Sequence, residues 1–274
     1  MAEFHNRTRR SSSIPGKLLR SGRVLELPLY WLVRTSDLAR EGFENSGSYR
    51  FADHIYRDQP SGSYGIGRLL DRLILRMRAV ESFRSRFFMA RDQLCEFLRE
   101  RSKDSASLDV LSVPCGIPRE FIAAVEKFRG AGGVTTQIRF HGLDLDDVVL
   151  RQAETFAGQH GISLIAHHGD ALDPGTYAGE FDFITSTGLG EFLDDEQLAT
   201  LYAAFHRVLR PGGVMVTSAM RRLRFSDYLL RLAELHVQYR SAADLAAMAR
   251  RAGFLRLATS ADRHGIQGFL KATK

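Results

Sequence analysis

The sequence predicts an α/β fold. A seven-stranded sheet, parallel except for its last strand, carries helices on both faces and follows an N-terminal helical cap. Three observations carry that expectation. Seven short apolar runs between residues 108 and 272 read as strands. Segments of helical periodicity separate most of them, and none fits between the last pair. Before residue 105 the pattern is helical, broken by polar loops. The expected division is a flexible basic tail at 1–16, a cap or substrate region at 17–104, and the α/β domain at 105–274.

The chain begins basic and serine-rich, which predicts fraying to residue 16. Val24 to Val33 is apolar but short and contains Pro28. From 36 to 68, five glycines break up short helical fragments, and Pro60 to Gly65 reads as a loop. From Ile66 to about Arg101 the pattern is helical: Leu69, Leu70, Leu73, Ile74 and Met77 recur at helical spacing with Arg68, Arg72 and Arg76 between them. A polar linker, 103–107, then precedes the alternation. The strands expected are Leu108–Val113, Gln137–Asp144, Ser163–His167, Phe181–Ser186, Val214–Ala219, Leu255–Ser260 and Ile266–Ala272. The helices between them are Arg119–Phe128, Asp147–His160, Asp195–Leu209, Phe225–Tyr239 and Ala242–Ala252. Asp262-Arg263-His264-Gly265 leaves no room for a helix, so it reads as a hairpin turn and makes the last strand antiparallel.

Charge is unevenly placed. The first hundred residues hold 18 Lys+Arg against 12 Asp+Glu, and the rest hold 20 of each. The whole net charge of +6 therefore lies in the first hundred residues, where it suits an anionic substrate, a nucleic acid, an acidic lipid surface or simply a solvated face. Two cysteines, Cys95 and Cys115, form no disulfide framework and fit a reducing, cytoplasmic setting. No run approaches the roughly 18 apolar residues of a membrane span. Arg7, Arg9 and Arg10 have no long apolar run behind them, so no secretory signal is expected.

The first strand leads into Ser112 to Glu120, S-V-P-C-G-I-P-R-E, and then a helix. Strand, glycine-bearing turn and helix begin a nucleotide-binding βαβ unit, a Rossmann-like arrangement whose helix amino end attracts anions. The second strand ends Gly142-Leu143-Asp144-Leu145-Asp146. A carboxylate there accepts ribose hydroxyls, while Asp146 or Asp147 caps the next helix. The third strand ends His167-His168-Gly169-Asp170-Ala171. Asp170 is placed either to accept from an adenine amino group or to close a simple turn. No second cluster at ligand spacing accompanies the two histidines, so no metal site is expected. The fourth strand, F-D-F-I-T-S, leads to Glu191, and Leu209-Arg210-Pro211-Gly212-Gly213 stops a helix ahead of the fifth.

In this order the series Leu-Ser-Val-Pro-Cys-Gly, Gly-Leu-Asp-Leu-Asp, Gly-Asp-Ala, Phe-Asp-Phe-Ile and Leu-Arg-Pro-Gly-Gly resembles the class I S-adenosylmethionine-dependent methyltransferases over residues 105–274. The resemblance implies S-adenosylmethionine as cofactor, held by Ser112, Pro114, Gly116, Asp144, Leu145, Asp170, Ala171 and Ser186. It departs at the first motif, where the family reads acid-x-Gly-x-Gly-x-Gly and this chain has Ser112, Pro114, Gly116 and Pro118. Gly116 to Asp144 is also a longer step than the usual roughly 20 residues.

Methyl transfer is an in-line displacement, so positioning and exclusion of water come first. A base is needed only where the acceptor carries a proton. Glu191, Arg221, Arg222 and His264 follow carboxyl ends of strands. His264 is the candidate base, its ordinary pKa lying near neutrality, and Glu191 the second catalytic candidate. Tyr64 and Arg68, with Arg221, are candidate contacts to a small acceptor, anionic or lipid-like. Trp31 and its apolar neighbours suit a core, a homodimer contact or a peripheral membrane contact. Two further readings remain: a non-catalytic cofactor-binding protein, favoured by the sparse glycines, and a nicotinamide-dependent oxidoreductase, disfavoured by the missing Gly-x-Gly-x-x-Gly. Nucleic acid is disfavoured as acceptor, because Ser186-Thr187-Gly188-Leu189 stands where base-modifying relatives carry an Asn/Asp-Pro-Pro-aromatic tetrapeptide.

Overall fold

A computed structural model describes residues 13–44, 49–101, 107–134, 138–223, 227 and 236–274. The chain divides into two compact units, Met1–Arg84 with Arg222–Val237, and Ser85–Arg221 with Gln238–Lys274.

The second unit is built on a single sheet. Its strands are β1 Leu108–Ser112, β2 Ile138–Asp144, β3 Leu164–His168, β4 Phe181–Ser186, β5 Leu209–Met220, β6 Arg256–Ala261 and β7 Gln267–Thr273. They lie in the order β3-β2-β1-β4-β5-β7-β6. The first five run parallel, and β7 is antiparallel to both β5 and β6. The α/β expectation of a mostly parallel seven-stranded sheet holds.

Alternation along each strand sends successive side chains to opposite faces. Val110, Phe140, Phe183 and Val216 meet one layer of helices, made by Leu94 to Leu98 of Arg78–Arg101, by Arg119–Gly130 and by Asp147–Gln159. Leu111, Ile184, Met215 and Leu270 meet Asp195–Val208 and Ala242–Arg251 on the other face. Between β3 and β4 there is only the 3-10 turn Pro174–Thr176. Strand order reverses between β1 and β4, and the carboxyl ends of the strands at such a switch point are where open α/β sheets take ligands.

Several boundaries differ from expectation. The division falls at Arg84/Ser85, inside a helix, and not at the polar linker. The reason is packing: Leu94, Cys95, Phe97 and Leu98 belong to the core of the sheet. Strand β5 begins at Leu209, so Pro211-Gly212-Gly213 lies within it, with a register shift opposite Phe181 and Phe183. Of the helix expected over 225–239, most lies outside the described residues. Residues 236–240 are not helical, because backbone bonds tie Gln238 to the Glu191 carbonyl (2.7 Å) and Arg240 to that of Met220 (3.1 Å).

In the first unit the tail gives way to helix Ile14–Arg20 earlier than expected. Ser13 caps it and Ile14 is buried. Short helices Leu27–Val33, Asp37–Glu44 and Tyr49–Arg57 follow. The long helix expected from Ile66 is broken near Arg76, giving Tyr64–Leu75 and Arg78–Arg101. Fully buried Asp71 gathers the segments: it accepts from the Ser36 hydroxyl (2.6 Å), the Leu38 N–H (2.8 Å), His54 Nε2 (3.0 Å) and the Ser61 N–H (3.1 Å). Burial alone would raise its pKa, but these donors to the ionised form hold it below the ordinary value.

Candidate functional site

Past Ser112 the chain turns through Val113 to Gly116 ahead of helix Arg119–Gly130, and the turn is stitched to both neighbouring strands. The Val113 N–H donates to the Thr185 carbonyl of β4 (2.9 Å), and the Cys115 N–H donates to Leu143 of β2 (2.7 Å). Gly142 makes the second stitch feasible, since a Cβ there would overlap the buried Cys115 sulfur. Burial pushes the Cys115 thiol well above its ordinary pKa, and Asp144 adds to the shift. Gly116 has φ +52°, a left-handed conformation that favours glycine.

That conformation aims the Gly116 N–H at Asp144 Oδ2, 3.0 Å away, while Asp144 Oδ1 takes the Asp146 N–H at 3.1 Å. An ionised carboxylate has about four acceptor positions, so two remain for a ligand. Burial pushes the Asp144 pKa up, the backbone N–H groups of Gly116, Asp146 and Leu145 oppose it, and the Asp146 charge adds to the rise. Asp146 caps the following helix through the N–H groups of Val148 (2.8 Å) and Val149 (3.4 Å).

The remaining expected cofactor residues distribute as follows. Ser112 is buried at the end of β1, and its Oγ reaches the Pro114 carbonyl only at 3.5 Å. Pro114 is exposed and Leu145 half-buried. Asp170 accepts from the Leu172 N–H at 2.8 Å, closing its own turn, and the Ala171 carbonyl accepts from the Tyr177 hydroxyl at 2.7 Å. Ser186 is buried at the end of β4, and its Oγ has no partner among the described residues.

Glu191 follows β4 in the 3-10 turn Leu189–Phe192 and is buried. Its Oε1 pairs with Arg86 (3.0 Å) and accepts from Gln267 Nε2 (3.3 Å). Arg240 fixes the same loop by donating to the carbonyls of Gly190 (2.7 Å) and Leu193 (2.8 Å). His264 sits in the hairpin turn between β6 and β7, where its Nε2 accepts from Arg263 Nε at 3.0 Å. Arg221 is exposed just past β5, its N–H donating to Ile266 (2.8 Å). The hairpin turn and the end of β5 therefore share the carboxyl side of the sheet with Gly116 and Asp144. Arg222 pairs with Asp227 in the first unit. Tyr64 and Arg68 also belong to the first unit, both exposed at the start of helix Tyr64–Leu75.

Sequence reading missed Glu120, Arg86 and Arg240. Glu120 lies in the first turn of the helix after the glycine turn. Burial pushes its carboxyl up to about 7, against the opposing pull of its own backbone N–H, Arg86 and the Ser112 hydroxyl. The signal was in the stretch Ser112 to Glu120 itself, which carries an acid at its far end. Nothing in the sequence pairs Arg86 with Glu191.

Away from this edge, Asp109 near the start of β1 gathers Arg139 (two bonds of 2.6 Å), Arg210 (2.9 Å) and His141 (3.1 Å). Burial would raise its pKa, but these partners hold it down at about 2. His167 joins this network through His141 at 2.9 Å, and His168 meets the Leu145 carbonyl at 3.1 Å. Among the described residues no group of three or more His, Cys, Asp or Glu is placed to hold a metal ion, and no helix is long and apolar enough to cross a membrane.

Comparison with known proteins agrees with this geometry. A family model for a methyltransferase domain matches residues 110–213. Over 107 residues the chain is 30% identical to nocamycin O-methyltransferase from Saccharothrix syringae, covering 39% of this chain and 35% of that one. The curated relatives it matches are thus covered over only 35% and 39% of their length. The crystal structure of a possible exported protein from Bordetella parapertussis is similar with TM-score 0.77 at 23% identity, over 100% of this chain and 96% of that one. Magnesium protoporphyrin IX methyltransferase from Synechocystis PCC 6803, solved with bound S-adenosylhomocysteine, is similar with TM-score 0.57 at 13% identity, over 86% and 98%. These structural likenesses show the fold. The matched domain makes residues 110–213 similar to a methyltransferase domain, and the solved relative with bound S-adenosylhomocysteine shares the fold of class I S-adenosylmethionine-dependent methyltransferases, a family that uses S-adenosylmethionine.

Proposed function

We propose that the protein transfers a methyl group from S-adenosylmethionine to a small-molecule acceptor, anionic or lipid-like, by in-line displacement. The observation that carries the reading is the bond from the Gly116 N–H to Asp144, which joins the glycine turn to the acid of the second strand. When bound, the cofactor supplies a methyl group made electrophilic by its sulfonium.

The residues fit such a ligand. Asp144 keeps acceptor positions for the two ribose hydroxyls, and the unpartnered Ser186 hydroxyl gives a further polar contact at the end of β4. Pro114 and Leu145 line the turn, and Asp170 with Ala171 receives the base. Ser112 stands where the family carries an acid, and Glu120 brings a carboxyl beside it. His264 takes the acceptor's proton where it has one, and Arg221 meets an anionic acceptor. Glu191 is the second candidate for acid–base work, and its engagement by Arg86 and Gln267 favours a different reading, a cofactor-binding protein without turnover. The cytoplasmic setting proposed from cysteine usage accords with Cys95 and Cys115, which are both free and buried.

Incubation with methyl-labelled cofactor and a panel of carboxylates, phenols and lipids separates the two. Label transfer that disappears in Asp144→Ala supports methyl transfer. Binding of the cofactor without transfer to any acceptor supports the second reading.

A further inference from the structure

The first unit presents a face that its own core leaves uncovered. Helix Tyr64–Leu75 buries Gly67, Asp71 and Leu75 inward. Its opposite side still carries Ile66, Leu69 and Leu73, which are 49%, 53% and 57% exposed. Their spacing puts them on one stripe. Arg68, Arg72 and Arg76, all exposed and four residues apart, run beside that stripe. The one carboxylate of the helix is Asp71, fully buried and engaged by four donors, so the exposed side carries cations and no acid.

The neighbouring helix makes the observation independent of periodicity. Leu27–Val33 reads L-P-L-Y-W-L-V, without a charged residue, and packs against Tyr64–Leu75. A helix apolar all round normally lies inside a core, yet none of its residues is buried. Leu29 and Trp31 are more than half exposed, and Leu25, just before it, is 95% exposed. The Arg34 guanidinium lies over the Trp31 ring, 5.3 Å from its centre. An apolar surface interleaved with arginines and interfacial aromatics matches the boundary between acyl chains and anionic headgroups.

We propose that this face docks the protein peripherally on an anionic lipid bilayer, with Trp31, Leu69 and Leu73 entering the headgroup boundary and the arginine row meeting the headgroups. A second copy is a poorer occupant. A two-fold contact through helix Tyr64–Leu75 would set two arginine rows against each other with no exposed acid on the helix to answer them. The inference stands without the methyl-transfer reading, because its test measures partition and not turnover.

Trp31 is the only tryptophan in the chain, so its emission reports this face alone. The full chain is mixed with vesicles of phosphatidylcholine, or of phosphatidylcholine with phosphatidylglycerol. The expected result is a blue shift and co-sedimentation with the anionic vesicles only, weakened by salt. The double variant Leu69→Gln/Leu73→Gln is expected to partition at least about tenfold less, with unchanged far-ultraviolet circular dichroism. If that variant unfolds, Arg72→Gln/Arg76→Gln carries the test and must also weaken binding. Equal binding to neutral vesicles overturns the proposal, as does absence of binding to anionic ones. A dimer abolished by Leu69→Gln/Leu73→Gln, without vesicle binding, gives the face to a second copy and overturns it too.

Discussion

The backbone N–H of Gly116 donates to Asp144 Oδ2 at 3.0 Å, across 28 residues of chain. The left-handed turn after β1 and the acid ending β2 therefore form one unit. Substituting Asp144 with Ala removes this brace and both remaining acceptor positions. Hydrogen bonds to charged groups are worth about 1.5–3 kcal/mol, so S-adenosylhomocysteine affinity should fall roughly ten- to a hundredfold. Titration calorimetry reads this directly. Unchanged affinity would place the ribose elsewhere.

Arg86 and Glu191 form a buried ion pair that gives Glu191 two separable roles. As a structural partner, its replacement by Ala leaves a buried cation and should destabilise the second unit by about 3–5 kcal/mol, seen as a lower urea midpoint. The double change Arg86→Met/Glu191→Leu should recover much of that loss. A Glu191→Gln variant with a wild-type midpoint but a collapsed kcat would instead assign the carboxylate to catalysis.

Glu120 predicts how stability depends on pH. Its folded pKa of about 7 lies above the ordinary 4.5, because burial disfavours the charged form. Between those values the folded state holds more protons than the unfolded one, so stability falls as pH rises from about 4.5 through about 7. The loss is at most about 3.4 kcal/mol, and smaller because the Glu120 side chain is only half-buried. Urea midpoints measured across that window should decline in the wild type, and the decline should be shallower in Glu120→Gln. Parallel profiles would show that the carboxyl is solvated.

Arg68 and Arg72 lie on the exposed side of helix Tyr64–Leu75. If an acidic acceptor meets them, replacing both with Gln should raise its KM about fivefold, the scale of two exposed ion pairs, and leave a neutral acceptor unaffected. Equal KM values across acidic and neutral acceptors would remove them from acceptor binding.

The centre of the sheet was legible in the sequence because strands β1, β4 and most of β5 are buried on both faces and bounded by turn residues. Val110, Phe183 and Val216 read as apolar runs wherever they pack. The place of Asp144 at the end of β2 was legible because a strand end and a helix cap share three residues, Asp144 to Asp146. Two kinds of feature were not. The break near Arg76 and the division inside helix Arg78–Arg101 depend on which core each turn joins, and periodicity is continuous across both. Arg86 and Glu191 meet across 105 residues, and Arg240 and Gly190 across 50, with no local pattern to announce either contact. Asp170 had two readings in the sequence, and the structure engages its side chain in the local turn.

The most direct test is calorimetric titration of the wild-type chain with S-adenosylmethionine, S-adenosylhomocysteine and a nicotinamide dinucleotide, repeated with Gly116→Val. Binding of the first two, loss of both in Gly116→Val with the thermal unfolding of the fold retained, and no heat from the dinucleotide are the results predicted. Dinucleotide binding alone, or undiminished affinity in Gly116→Val, would contradict a cofactor site at the Gly116–Asp144 contact.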